Sequence, residues 1–196
     1  MHGWRIGRIF GIGIEINFTW LIIFGLILWS VTADILPGKA PQATTPELWI
    51  TGIITTVLFF GSLLLHELAH SLMANHLGVT VSRITLFVFG GVSQMSREPD
   101  NPRAEFKIAI VGPLTSVVLG GLFLGLHQVL RTAGVTRLWS SAILWVGEIN
   151  LALAVFNMLP AFPLDGGRVL RSALWAAWQS LERATRVASG IGRWFG

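Results

Sequence analysis

The chain has 196 residues, of which 53% are hydrophobic and 12% charged, a charged share about half that of an ordinary soluble domain. It has no cysteine, which excludes disulfides, thiolate metal sites and thiol nucleophiles. The formal charge of +4 would suit nucleic acid, but the arginines lie between apolar runs and form no dense basic block; they read as charges flanking a membrane, and no nucleic-acid partner is expected.

The leader "WRIGRIFGIGIEINF", preceded by Gly3, mixes apolar and polar residues with glycines at Gly7, Gly11 and Gly13 and reads as extended chain. Its Gly11-Ile12-Gly13 is not a nucleotide loop, because the strand-to-helix context that gives such a motif meaning is missing. A hydrocarbon core about 30 Å thick takes ~20 helical residues to cross, and four segments are long enough. The first is Asn17 to Leu36, ended by "PGKAP"; the second runs from near Leu48 to Leu77 and Gly78. Val79 to Ser96 follows, rich in β-branched residues and phenylalanine with Gly90-Gly91 inside it, and fits a strand or hairpin at the membrane face. The third span is Ala104 to Leu130, and the fourth is Leu138 to Leu159, broken by Pro160 and Pro163. A tail from Gly166 to about Leu181, with Trp175, Trp178, Arg168 and Arg171, suits an interfacial helix. The expected fold class is therefore a mainly α-helical membrane protein of one domain, with about four transmembrane helices, a membrane-associated β element and a C-terminal interfacial helix.

Basic residues set the orientation. Arg5 and Arg8, then Arg83, Arg97, Arg103 and Lys107, then Arg168, Arg171, Arg183, Arg186 and Arg193 fall on one face, against Lys39, Arg131 and Arg137 on the other. By the positive-inside rule the richer face, with the N-terminus, is expected to be cytoplasmic.

The stretch "SLLLHELAHSLMANHLG" ends the second span. On a helix His66 and His70 project from one face about 6 Å apart along the axis, while Glu67 turns roughly 100° away. Two imidazoles so placed can hold one Zn²⁺, and the glutamate can reach a water on that metal. Zinc lowers the water's pKa to around 7, and a carboxylate can pass its proton to a leaving amine, so the chemistry expected is amide hydrolysis. Ionisable groups at membrane depth are functional by default. His76 sits ~15 Å along the helix from His66, beyond the same metal, and His127 closes the third span; both read as interfacial. Zinc usually takes a third protein ligand, and two carboxylates are available. Glu148 lies near mid-span in "WVGEIN"; Asp165 follows two prolines and precedes two glycines in "NMLPAFPLDGG". Irregular chain of that kind is tolerated at membrane depth only where it lines a cavity, which favours Asp165 over Glu148.

"HELAHS" at the end of a hydrophobic span, followed roughly 90 residues later by "NMLPAFPLDGGRVLR", resembles the site-2 protease family of intramembrane zinc metalloproteases. "FVFGGVSQM" and "GPLTS" look like further features of that family, so the resemblance covers essentially the whole chain. It implies His66, His70 and Asp165 as ligands of one Zn²⁺, Glu67 as general base, and Asn157 as the group that contacts the substrate backbone or oxyanion. It also implies a single metalloprotease core over residues 1–196, to which many relatives of this shape add two further spans and a pair of CBS domains. The implied setting is a prokaryotic cell membrane, and the implied partners are the lipid bilayer and a single-span membrane-protein substrate. A helical substrate hides its amides and must be unwound; the strand Arg83 to Val92 is expected to pair with it by strand addition. The competing class is a transporter or metal permease with His66, Glu67, His70 and Glu148 along an ion path, but no inverted repeat is visible.

Overall fold

The computed structural model describes residues 3–88 and 90–192; Phe89 and Arg193, both counted above, lie outside the described residues. Strands β1 (Gly3–Ile9) and β2 (Ile12–Asn17) form a hairpin turned by Phe10 and Gly11, both at left-handed φ (50° and 82°), as a two-residue hairpin turn requires. Asn17 ends β2 and accepts a hydrogen bond from the Thr19 backbone N–H, so it caps helix α1 (Phe18–Ser30). A π-helical turn (Val31–Ile35) carries the chain into the short α2 (Leu36–Lys39), and the whole unit Phe18–Lys39 is long and apolar enough to cross a membrane.

A reciprocal cap between Thr44 and Glu47 starts α3 (Thr45–His76). At 32 residues this helix is about 48 Å long, longer than a bilayer's hydrocarbon core. It crosses the π-helical turn closely: a β-carbon at Gly52 would fall 2.1 Å from Thr32 Oγ1. Helices α4 (Pro102–Thr132) and α5 (Arg137–Asn157) are the other two candidate spans. They pack through small residues, with Gly120 against Leu151 and Gly147 against Leu124, the contact that lets helix backbones approach in lipid. Large apolar residues stay on the outside of the bundle, Leu122 and Val155 among them, as side chains facing acyl chains should.

The leader and the Val79–Ser96 segment, read separately above, belong to one sheet. Strand β3 (Val81–Phe87) pairs in parallel with β2 and antiparallel with β4 (Gly90–Met95), giving the order β1-β2-β3-β4. The two spans between β2 and β3 return the chain to the same end of the bundle and supply the long crossover that a parallel pair needs. Ile12, Ile14, Ile84 and Leu86 from the sheet then bury against Leu68 and Ala74 of α3 and Ile108 of α4. This order divides the expected docking strand, Arg83 to Val92: Arg83 to Phe87 has neighbours on both sides, and only Gly90 to Val92 falls on β4, whose outer edge pairs with no strand among the described residues. The tail comprises α6 (Asp165–Trp178) and α7 (Leu181–Gly192), the latter placing Arg183 and Arg186 outside its buried Ala184 and Ala188.

Candidate metal centre

Three side chains from two helices meet at one point. Nε2 of His66 lies 3.2 Å from Nε2 of His70, and Oδ2 of Asp165 is 3.2 Å from the first and 3.1 Å from the second. His66 and His70 are one turn apart on α3 and both buried; Asp165 is the first residue of α6. The two glycines after it bring α6 onto the preceding loop. A β-carbon at Gly166 would lie 2.3 Å from the carbonyl oxygens of Met158 and Leu159, and one at Gly167 2.7 Å from the Ala161 backbone.

The donor set fits a metal ion. The Ile108 carbonyl oxygen, 2.5 Å from His70 Nδ1, can only accept, so Nδ1 carries the hydrogen and Nε2 presents a lone pair. Ser116 Oγ stands 2.9 Å from His66 Nδ1 and can take the same part. Two imidazole lone pairs and a carboxylate oxygen facing one another repel unless a cation lies between them. A tetrahedral zinc with legs of about 2.0–2.1 Å separates its ligands by about 3.3–3.4 Å, close to the spacings found here. Helix α4 closes the site from the side. A β-carbon at Gly112 would fall 2.1 Å from His70 Nε2 and 2.7 Å from His66 Nε2, so only glycine leaves room for an ion.

Glu67 lies beside this cluster, in a cleft lined also by Gly91, Ser93 and Asn157. Its carboxyl group packs on the backbone of Gly91 in β4, where a β-carbon would come within 2.5 Å of Glu67 Cγ. Strand β4 is tied to α3 at this level by a 2.9 Å hydrogen bond between Ser93 and Ser71. Asn157, the last residue of α5, donates from Nδ2 to the Leu153 carbonyl oxygen at 3.0 Å and lines the same cleft.

The structure leaves the remaining candidates elsewhere. Glu148 is half exposed and pairs with Lys39 at 3.6 Å, at the end of the first span, so it joins neither the cluster nor a path with it. His76 is exposed at the last position of α3, and His127 Nδ1 lies 2.6 Å from the Ser140 carbonyl oxygen. Sequence reasoning missed Gly112, Ser116 and Ile108. The signal was present in "GPLTS", where a glycine-proline pair interrupts a spanning helix four residues before a serine.

A four-span bundle with two histidines and an aspartate converging inside it is a membrane protein with a side-chain cluster that could hold a metal ion. Comparison with known families matches residues 54–136 and 125–195 to peptidase family M50, and the chain belongs to that family. It is 30% identical to a site-2 protease from Methanocaldococcus jannaschii of solved structure, with a TM-score of 0.66 over 99% of this chain and 81% of that one. A Synechocystis protein whose name marks it as a candidate zinc metalloprotease is 41% identical over 98% of this chain and 49% of its own length. A zinc metalloprotease of M. jannaschii is 33% identical over 96% of this chain and 50% of its own length. The chain thus spans about half the length of the curated relatives it matches most broadly.

Proposed function

We propose that residues 1–196 form a single catalytic core, an intramembrane zinc metalloprotease that cuts a peptide bond within or near the transmembrane segment of a single-span membrane protein. The observation that carries this reading is the triangle of His66 Nε2, His70 Nε2 and Asp165 Oδ2 with sides of 3.1–3.2 Å, in a chain of a peptidase family. These three residues would hold the zinc. When bound, the ion supplies Lewis acidity towards water and the scissile carbonyl. Glu67, one residue after His66, takes the proton of the attacking water on its carboxylate and delivers it to the departing amide nitrogen. Asn157, in the same cleft, hydrogen-bonds the substrate backbone or the developing oxyanion.

The free edge of β4 supports a way of holding the substrate. It borders the cleft at Gly91 and Ser93, and an unwound peptide laid along it satisfies its own amides by pairing with main chain. The basic end of the bundle carries the sheet and α6, which fits an N-terminus in the cytoplasm and a cut in the cytoplasmic half of the substrate's membrane segment. The cell membrane of a prokaryote is the proposed location. The transporter alternative finds no support, because Glu148 is tied to Lys39 away from the histidines.

Zinc content and cleavage of a single-span substrate, measured on the unmodified chain and on Glu67→Gln, test the reading. Zinc in both with cleavage in the first alone is expected. Zinc in both without cleavage in either would sink it, and mass spectrometry of the fragments would locate the cut. A cut in the extracytoplasmic half would reverse the orientation drawn from the basic residues.

A further inference from the structure

Asp165 is the member of the cluster that α3 does not carry. It stands at the start of α6, joined to α5 by residues 158–164, and a shift of about 1 Å there would open the ligand triangle. What fixes α6 in register with the histidines is a different question from what binds metal. On α4, Glu105, Ile108, Gly112 and Ser116 fall at spacings of three, four and four residues, which places them on one face. Ile108 and Ser116 hold His70 and His66 by their Nδ1 atoms, and Gly112 seats the pair. Glu105, first in the same stripe, is fully buried and takes two hydrogen bonds on Oε1 from Arg171 of α6, one from Nε at 2.6 Å and one from Nη2.

We infer that Glu105 and Arg171 are a positioning pair that sets α6, and with it Asp165, at the distance from α3 that zinc requires. The inference rests on Asp165 being a metal ligand, as proposed above. Arg171 follows Asp165 by six residues, about 9 Å along the helix, so a fixed point at Arg171 together with the Gly166–Gly167 seat on the loop leaves α6 little freedom to slide or rotate. Arg168, one turn nearer Asp165, adds a second positive charge in the field of Glu105, whose Oε2 is buried without a hydrogen-bond partner among the described residues. A buried ion pair contributes little to net stability relative to an apolar pair of similar volume. Fixing one geometry among helices that pack through small, smooth surfaces is a use that its cost leaves room for. One face of α4 thus sets all three ligands, two through their imidazoles and the third through the helix that bears it.

The test separates positioning from general stability by following zinc release to a chelator from the full zinc-loaded chain in detergent, alongside its thermal unfolding. Arg171→Gln and Glu105→Gln should release zinc about 10–100-fold faster, the range for lost outer contacts to a metal site. Arg171→Lys, which keeps the charge but not the planar fork, should fall between these and the unmodified chain, and it decides the matter if the glutamine variants do not fold. Leu138→Ala opens a cavity in the second core, formed with Val31, Leu36 and Ala142, and should lower the unfolding temperature while leaving the release rate unchanged. Equal acceleration in Leu138→Ala and an Arg171 variant of matched stability would overturn the positioning role. Asp165→Ala keeps the two failures apart: release unchanged in Asp165→Ala would bring down the ligand assignment itself, whereas fast release there with normal release in Arg171→Lys and Arg171→Gln would bring down only the pair.

Discussion

Two regions of the bundle bury polar side chains at membrane depth, and they differ in where the hydrogen bonds go. In the region of α3 nearer its N-terminus and in α5, the bonds are local. Thr55 donates to the Thr51 carbonyl, Thr56 to that of Gly52, Ser62 to that of Leu58 and Asn150 to that of Val146, each four residues back on its own helix. Around His66 the bonds cross between helices: to Ser116, to Ile108 and to Asp165, over sequence separations of 50, 38 and 99 residues. A back-bonded threonine satisfies itself in lipid and asks nothing of its neighbours. A histidine cannot, so each one here dictates which helix lies beside it. The lesson is that a polar residue in a span is weak evidence of a site, and a convergence of such residues from distant helices is strong evidence.

The largest effect that can break this contrast comes from Gly112. Alanine there places a methyl group against both Nε2 atoms, 2.1 Å from one and 2.7 Å from the other, in the space the ion needs. A helical Gly→Ala exchange otherwise adds up to ~1 kcal/mol of helix propensity. We therefore expect Gly112→Ala to lose zinc and cleavage without the loss of helix content that a folding defect would bring. Gly61→Ala, whose β-carbon meets nothing within 4 Å, should keep both. Metal analysis, circular dichroism and a cleavage assay on the same samples decide it, and full zinc in Gly112→Ala would show that the metal does not sit where the triangle points.

Next in size is the proposed base. Glu67→Gln should retain zinc and lose turnover by about 10²–10⁴-fold, the usual worth of a positioned proton acceptor. Zinc lost together with activity would make Glu67 a ligand or a structural group. Smaller again is Ser116→Ala, expected to weaken zinc about 10–100-fold by releasing the His66 ring. Its counterpart in the locally bonded region, Thr56→Val, should leave zinc affinity unchanged. If the two behave alike in a competitive chelator titration, the distinction between local and cross-helix bonding carries no functional information.

The difference between the regions also explains what the sequence could reveal. Four spans were legible from apolar run lengths, because lipid imposes a length that soluble cores do not; the limits fall within about three residues of the observed helices. His66, Glu67 and His70 were legible because four-residue spacing on one helix is local geometry. From the residues alone Asp165 was legible only as the better of two carboxylates, through the prolines and glycines around it, and the motif "NMLPAFPLDGGRVLR" pointed to it a second time. Closure of the two β segments into one sheet was not, since parallel pairing of β2 with β3 depends on a crossover of two spans, whose packing leaves no pattern in either strand. For the same reason the docking strand was drawn as one run, Arg83 to Val92, when Arg83 to Phe87 is interior and only Gly90 to Val92 lies on the edge strand β4. Glu105, Ser116 and Gly112 escaped because each looks ordinary alone; their shared face on α4 acquires meaning only when α3 and α6 are seen to meet it.

The smallest effect is expected at Glu148, and a null result there is informative. Glu148 and its partner Lys39 keep 53% and 35% of their side-chain surface exposed at a separation of 3.6 Å. Such exposed pairs contribute about 0–1 kcal/mol, less at high salt. Glu148→Ala should therefore retain zinc, keep cleavage within about two-fold, and shift unfolding only slightly. Were Glu148 instead part of an ion path with the histidines, removing it would disturb them through their shared electrostatics, and Lys39→Ala would disturb them in the opposite sense by freeing the carboxylate. Measuring zinc affinity in both variants at low and high salt distinguishes these cases. Opposite shifts that shrink with salt would couple the two regions and revive the transport reading. Unchanged affinity in both leaves a surface pair that fastens the end of the first span to α5, and confines the chemistry to the helices that α4 brings together.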